Sequence, residues 1–142
     1  MFAIGIGVCI SLMNIAVHAV FTVVMVRTVH RDAERLSQPN VVFREALIMI
    51  IAAAILMLAH LMEVWIWSVF YRLLGVTPDS SADFDFAFVN YTTLGYGHLV
   101  PEAPWQVLGP MTAMNGVLLF GWSTAVLFQV LAVSARRFGI RY

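Results

Sequence analysis

One short segment of this sequence concentrates hydroxyl, glycine and imidazole groups. It reads Thr92, Thr93, Leu94, Gly95, Tyr96, Gly97 and His98. The two glycines can adopt positive φ values that other residues rarely adopt, so the backbone can take conformations here that are closed to most of the chain. Taken alone, the segment is equally compatible with a glycine-rich turn beside a short helix. The elements around it must therefore decide its role.

A second group of polar residues lies within a long apolar stretch. His60 and Glu63 are three residues apart, so a helix would place them on one face. A metal or haem site is one interpretation, but one histidine and one glutamate provide too few ligands. We favour a hydrogen bond that Glu63 accepts from Asn90 or Tyr91, since a carboxylate inside a membrane needs a partner.

The composition indicates a membrane protein. Hydrophobic residues make up 61% of the 142 residues and charged residues 11%, whereas typical globular chains have about 45–50% and about 25%. Mean hydropathy is +0.87. The formal net charge of zero argues against a nucleic-acid-binding surface. The single cysteine, Cys9, excludes an intrachain disulfide and a CxxC metal site.

Three apolar stretches, residues 2–26, 41–71 and 110–133, reach the length of about 20 residues that crosses a bilayer. The first lacks the basic start of a signal peptide and is longer than its apolar region. We therefore predict a retained additional transmembrane helix within residues 1–27. In that stretch, Asn14 and His18 are four residues apart, and we interpret them as helix–helix contacts.

The arginines predict the orientation of the three stretches. Most fall in two segments, with Arg27, Arg31, Arg35 and Arg44 in the first and Arg136, Arg137 and Arg141 in the second. Because arginine marks the cytoplasmic side, we predict a multi-pass plasma-membrane protein with an outside N-terminus, a cytoplasmic linker at 28–40 and a cytoplasmic C-terminus. The arginine stripe before residue 36 either contacts anionic lipid headgroups or only sets the topology.

A short helix is predicted over residues 82–92, between the second and third stretches. It is rich in aromatic residues and begins with Asp83 and Asp85, which suit the positive end of a helix dipole. Ser80 followed by Asp83 resembles a capping box, with Asp in place of Glu. A helix of about ten residues is about 15 Å long, half the thickness of the hydrocarbon core.

This order of elements resembles the pore domain of potassium channels. The corresponding segments are an outer helix at 41–74, a pore helix at 82–92, a T-x-G-Y-G filter at 93–97, a return loop with Pro101 and an inner helix at 109–134. The resemblance covers 41–142 and leaves the first helix outside. It implies an all-α membrane protein of three transmembrane helices with a re-entrant pore helix and filter loop, assembling as a homotetrameric channel.

The resemblance also implies the site. In this family, backbone carbonyls of the filter replace the hydration shell of K⁺, which points to K⁺ binding at Thr93, Leu94, Gly95 and Tyr96, with Gly97 completing the filter. K⁺ is then expected as the permeant ion, and membrane lipids and three further copies of the chain as partners. We expect no cofactor and no enzymatic activity.

Three residues depart from the family pattern. Leu94 replaces the commoner valine, His98 stands where aspartate is usual, and Val89 stands where some members have a buried glutamate. The carboxylate pair that braces the filter in those members is therefore missing. Some acid-sensitive two-pore-domain potassium channels also have histidine after the filter, which makes His98 a candidate pH sensor.

The predicted inner helix contains further candidates. Gly121 and Gly116 are either gating hinges, with Gly121 the better match, or sites of close packing through small residues. Ser123 and Thr124 either line a water-filled cavity or hydrogen-bond to their own backbone.

The sequence thus predicts a potassium-selective channel subunit. A weakly selective cation channel, an ion-translocating transporter subunit and a silent modulatory subunit are the alternatives. Such transporter chains carry four pore loops and this chain has one. A silent subunit would not need both glycines and Thr93.

Overall fold

The computed structural model describes residues 1–35, 41–77, 82–95 and 99–137. Over these residues the chain contains helices and no strand. The helices are α1 (Phe2–Arg35), α2 (Val41–Leu74), α3 (Asp83–Tyr91) and α4 (Leu108–Arg137), with a short 3₁₀ helix at Trp105–Val107 before α4. The all-α architecture predicted from the sequence is confirmed.

Three of these helices are long and apolar enough to cross a bilayer, over Phe2–Val29, Val42–Leu74 and Trp105–Val133. Many of their large apolar side chains remain exposed, as Val20, Met57 and Phe128 illustrate. Exposed apolar surface on this scale is unfavourable in water and is satisfied by lipid tails. The chain is therefore a multi-pass membrane protein.

Helix α1 is longer than predicted. It continues to Arg35, so residues 28–35 of the predicted cytoplasmic linker are helical, while residues 36–40 lie outside the described part of the chain. No glycine or proline occurs between residues 27 and 35, and nothing in the backbone ends the helix earlier. Helix α2 has the predicted bounds, and α4 extends slightly beyond the predicted 109–134 at both ends.

The start of α3 differs from the predicted capping box. The N-cap is Ala82, which makes no side-chain capping bond, and Ser80 lies outside the described residues. The buried carboxylate of Asp83 accepts a hydrogen bond from the Thr77 hydroxyl and one from Arg72 Nε at 3.4 Å. These partners attach the start of α3 to the end of α2.

Two apolar clusters hold the bundle together. One surrounds α3 and includes the fully buried Trp67, Tyr71 and Leu108. The other lies between α1, α2 and α4 and consists of Met25, Ile48, Ala52, Leu56 and Val130. Helix α1 packs against both α2 and α4, so it is an integral part of the bundle.

Candidate pore segment and buried polar cluster

The C-terminal end of α3 is closed by a backbone motif. The Thr93 N–H donates to the Asn90 carbonyl at 2.9 Å, and the Leu94 N–H donates to the Val89 carbonyl at 3.0 Å. Thr93 has a φ of +60°. Two such bonds around a left-handed residue form a Schellman motif, in which that position is usually glycine. The helix therefore stops here and the chain turns at Thr93.

The segment after the turn begins with strained backbone. A left-handed conformation costs a non-glycine residue such as Thr93 about 1–2 kcal/mol. Gly95 has a φ of +71°, which glycine adopts without that cost. Leu94 between them is 57% exposed. The other predicted residues of the segment, namely Tyr96, Gly97 and His98, lie outside the described part of the chain. The ion-binding role of the whole segment stays a prediction.

Helix α3 is fixed close to α4 by a glycine. A Cβ built on Gly116 would lie 2.0 Å from the backbone carbonyl oxygen of Tyr91, and one on Gly109 would lie 3.0 Å from Asn90 Oδ1. Only glycine lets two backbones approach this closely. The last turn of α3 is thereby held against the N-terminal half of α4.

Next to this contact lies a buried polar cluster formed by His18, His60, Glu63, Tyr91 and Ser123. Glu63 is fully buried and accepts a hydrogen bond from the Tyr91 hydroxyl. Its Oε1 lies 2.8 Å from His18 Nδ1, and its Oε2 lies 3.1 Å from His60 Nδ1. The cluster therefore joins α1, α2 and the end of α3 through one carboxylate.

The Nε2 atoms of both imidazoles, on the far side of the rings from Glu63, lie near the hydroxyl of Ser123. Ser123 Oγ on α4 lies 2.9 Å from His60 Nε2 and 3.3 Å from His18 Nε2. The two ring centroids are 5.3 Å apart. Each histidine thus has its Nδ1 toward Glu63 and its Nε2 toward Ser123, so all four helices contribute to the same cluster.

A second set of hydrogen bonds extends the polar contact along α1. Asn14 Nδ2 donates to Asn115 Oδ1 at 3.0 Å and to the Glu63 carbonyl at 3.3 Å. Trp67 Nε1 donates to the same Asn115 oxygen at 3.1 Å. These bonds fix the rotation of α1 about its axis, because only one face of that helix carries Asn14 and His18.

Comparison with protein families identifies the architecture. A family model described as an ion channel matches residues 45–133, which is more than half of the chain. The chain belongs to this ion channel family. The match is to channels with two transmembrane helices and a pore domain of the potassium-channel type, as the order of elements predicted. No curated protein and no solved structure matches the chain.

The matched part of the channel contains nearly all of α2 together with α3 and most of α4. Helix α1 ends at Arg35, before the match begins at residue 45. The additional helix therefore lies outside the family domain, yet it supplies His18 to a cluster whose other members lie inside that domain.

The predicted bond between Glu63 and Tyr91 is confirmed, as are the helix–helix contacts of Asn14 and His18. Asn90 does not reach Glu63 and instead donates to the Phe86 carbonyl at 2.7 Å. Sequence reasoning missed that His18 joins His60 and Glu63. A signal for this contact was present in the sequence, because α1 and α2 each have a histidine in their apolar part.

The inner-helix candidates of the channel have different environments. Gly116 packs against the Tyr91 carbonyl, whereas a Cβ on Gly121 would meet nothing within 4 Å. Ser123 is buried against the two histidines, and Thr124 is exposed and donates to the Phe120 carbonyl at 2.9 Å. The hinge role of Gly121 and the cavity-lining role of Thr124 stay predictions.

Proposed function

We propose that the chain forms a potassium-selective, homotetrameric channel in the plasma membrane, in which four copies of residues 93–97 enclose one pore. The observation that supports this most directly is the position of α3. It is a short helix packed between two membrane-spanning helices, and it ends directly before the turn at Thr93. The matched family model is of the potassium-channel pore-domain type, and a short helix directly before the candidate filter agrees with the order of elements that the resemblance implies.

The chemistry of the segment is the reason for proposing K⁺. A dehydrated cation requires a ring of oxygen atoms in place of its water. Carbonyls of Thr93, Leu94, Gly95 and Tyr96 from four chains would supply successive rings. The C-terminal end of α3 carries partial negative charge and adjoins this segment, so it favours a cation there.

Assembly with four-fold symmetry follows from the same segment. One chain has one such loop, and four are needed to surround an ion. Large apolar side chains are exposed in this segment and in the first half of α4, with Leu94 57%, Met114 64% and Val117 58% accessible. Contact with neighbouring copies would cover part of this surface. From the arginine distribution we place the N-terminus outside and the C-terminus in the cytoplasm.

The test is a reversal-potential measurement on purified protein in planar bilayers under opposed K⁺ and Na⁺ gradients. We expect a potential near that of K⁺, and we expect Gly95→Ala to abolish selective current, because Gly95 has a φ of +71° that a Cβ disfavours. Gly5→Ala is the matched control, since its Cβ would meet nothing within 4 Å and its φ is not in the positive range.

Each outcome separates the candidate functions. A reversal potential close to zero would indicate a weakly selective cation channel. No current from the parent protein, with proper assembly, would indicate a modulatory subunit. Normal K⁺ current through Gly95→Ala would refute the assignment of the filter.

A further inference from the structure

We propose that His18, His60 and Glu63 form a binding site for a divalent transition-metal ion of the Zn²⁺ type. The three side chains each offer a ligand atom, and these atoms lie within 4.8 Å of one another. Two imidazoles and one carboxylate are a common donor set for Zn²⁺ with one open position. Calcium and magnesium prefer oxygen ligands alone, so the two histidines favour a transition metal.

The orientation of the rings favours such a site. Both Nδ1 atoms face Glu63, at 2.8 Å from Oε1 for His18 and 3.1 Å from Oε2 for His60. Ligand atoms around a tetrahedral zinc ion are about 3.3 Å apart, given bonds of about 2.0 Å. The two distances run to different oxygens of Glu63, so an ion held by one of these oxygens requires the carboxylate to turn. One ligand atom from each of the three side chains already lies within 4.8 Å of the other two.

Groups around the three ligands complete the arrangement. Ser123 Oγ forms hydrogen bonds with the Nε2 atoms of both histidines. These bonds fix the orientation of the rings, as outer partners of metal-bound histidines do. The Tyr91 hydroxyl lies 2.9 Å from His60 Nδ1, next to the position where a fourth donor or a water molecule is required. A further donor is thus within reach of the open position.

Burial and access are both compatible with an ion. The side chains of His18 and Glu63 have no exposed surface, whereas that of His60 is 15% exposed, which provides an entry route. A carboxylate buried in a membrane bundle is costly unless it is neutralised. A bound divalent cation would neutralise Glu63. It would be coordinated by the histidine Nδ1 atoms, which otherwise only hydrogen-bond to that carboxylate.

The experiment uses the purified full chain in nanodiscs, with Co²⁺ as a spectroscopic probe and Zn²⁺ as competitor. We expect one Co²⁺ per chain, a ligand-field absorption band of a four-coordinate site, and loss of that band on addition of Zn²⁺. His18→Gln and His60→Gln should each weaken binding by about tenfold or more. His30→Gln, which replaces a histidine on a later turn of α1, is the matched control and should bind as the parent does.

Several results would overturn the proposal. Absence of a band together with no calorimetric binding of Zn²⁺ is one, and unchanged affinity in both His18→Gln and His60→Gln is another. One metal per four chains, lost in His98→Asn, would place the ion at the pore mouth instead. If the histidine variants fail to fold, X-ray absorption at the zinc edge of the zinc-loaded parent tests the proposal. We expect two imidazole ligands around the zinc ion, and a coordination shell of oxygen atoms alone would contradict the site. None of these measurements depends on ion conduction.

Discussion

Replacing Gly116 with alanine tests how closely α3 and α4 must approach. The new Cβ would lie 2.0 Å from the Tyr91 carbonyl oxygen, whereas ordinary van der Waals contact begins at 3.4 Å. The two helices would have to separate by about 1.4 Å at this point, since the neighbouring atom is backbone and cannot rotate away. Overpacking of this kind typically costs about 1–3 kcal/mol.

Gly121→Ala on the same helix separates this cost from the effect of helix propensity. Alanine is favoured over glycine inside a helix by about 1 kcal/mol, and this gain applies at both positions. A Cβ on Gly121 meets nothing within 4 Å, so that variant should retain the gain. We therefore expect the free energy of unfolding of Gly116→Ala to be lower than that of Gly121→Ala by about 1–3 kcal/mol.

The assay is thermal unfolding of both variants and the parent in one detergent, followed by the loss of the assembled form in size-exclusion chromatography. The melting temperature of Gly116→Ala should be lower than that of Gly121→Ala, and the melting temperature of Gly121→Ala should equal or exceed that of the parent. If Gly116→Ala melts at or above the temperature of Gly121→Ala, α3 does not pack against α4 at this residue. In that case the candidate filter, which follows α3 directly, would also lie elsewhere in the channel.

Three further outcomes are expected from the proposed channel. Native mass spectrometry in mild detergent should show a tetramer, and only monomers or dimers would contradict the proposal. A reporter fused to Met1 should be located outside the cell, and a cytoplasmic reporter would refute the topology. Current should decrease when external pH falls below about 6.5, because a protonated imidazole at His98 would add positive charge at the ion exit. At a separation of about 4 Å, each such charge repels a permeating cation by about 1 kcal/mol even in water. His98→Asn should flatten this external response, and identical pH curves for variant and parent would exclude His98 as the sensor.

The sequence alone is sufficient to predict the four α-helices in the described part of the chain and their order. Runs of apolar residues longer than the bilayer requires are local features, and the run at 41–71 predicts the helix that the structure has at Val41–Leu74. The aromatic segment beginning with Asp83 likewise predicts α3. The end of α1 was less predictable, since its polar continuation to Arg35 has no apolar run to mark it.

What depends on tertiary structure is how the helices are rotated against one another. The membrane-spanning helices are apolar over most of their surface, so no continuous amphipathic pattern shows which side faces inward. The meeting of His18 with His60 and Glu63, and of Gly116 with the Tyr91 carbonyl, requires a specific rotation and axial position for each helix. Those positions result from the packing of all four helices together, which no single segment of the sequence encodes.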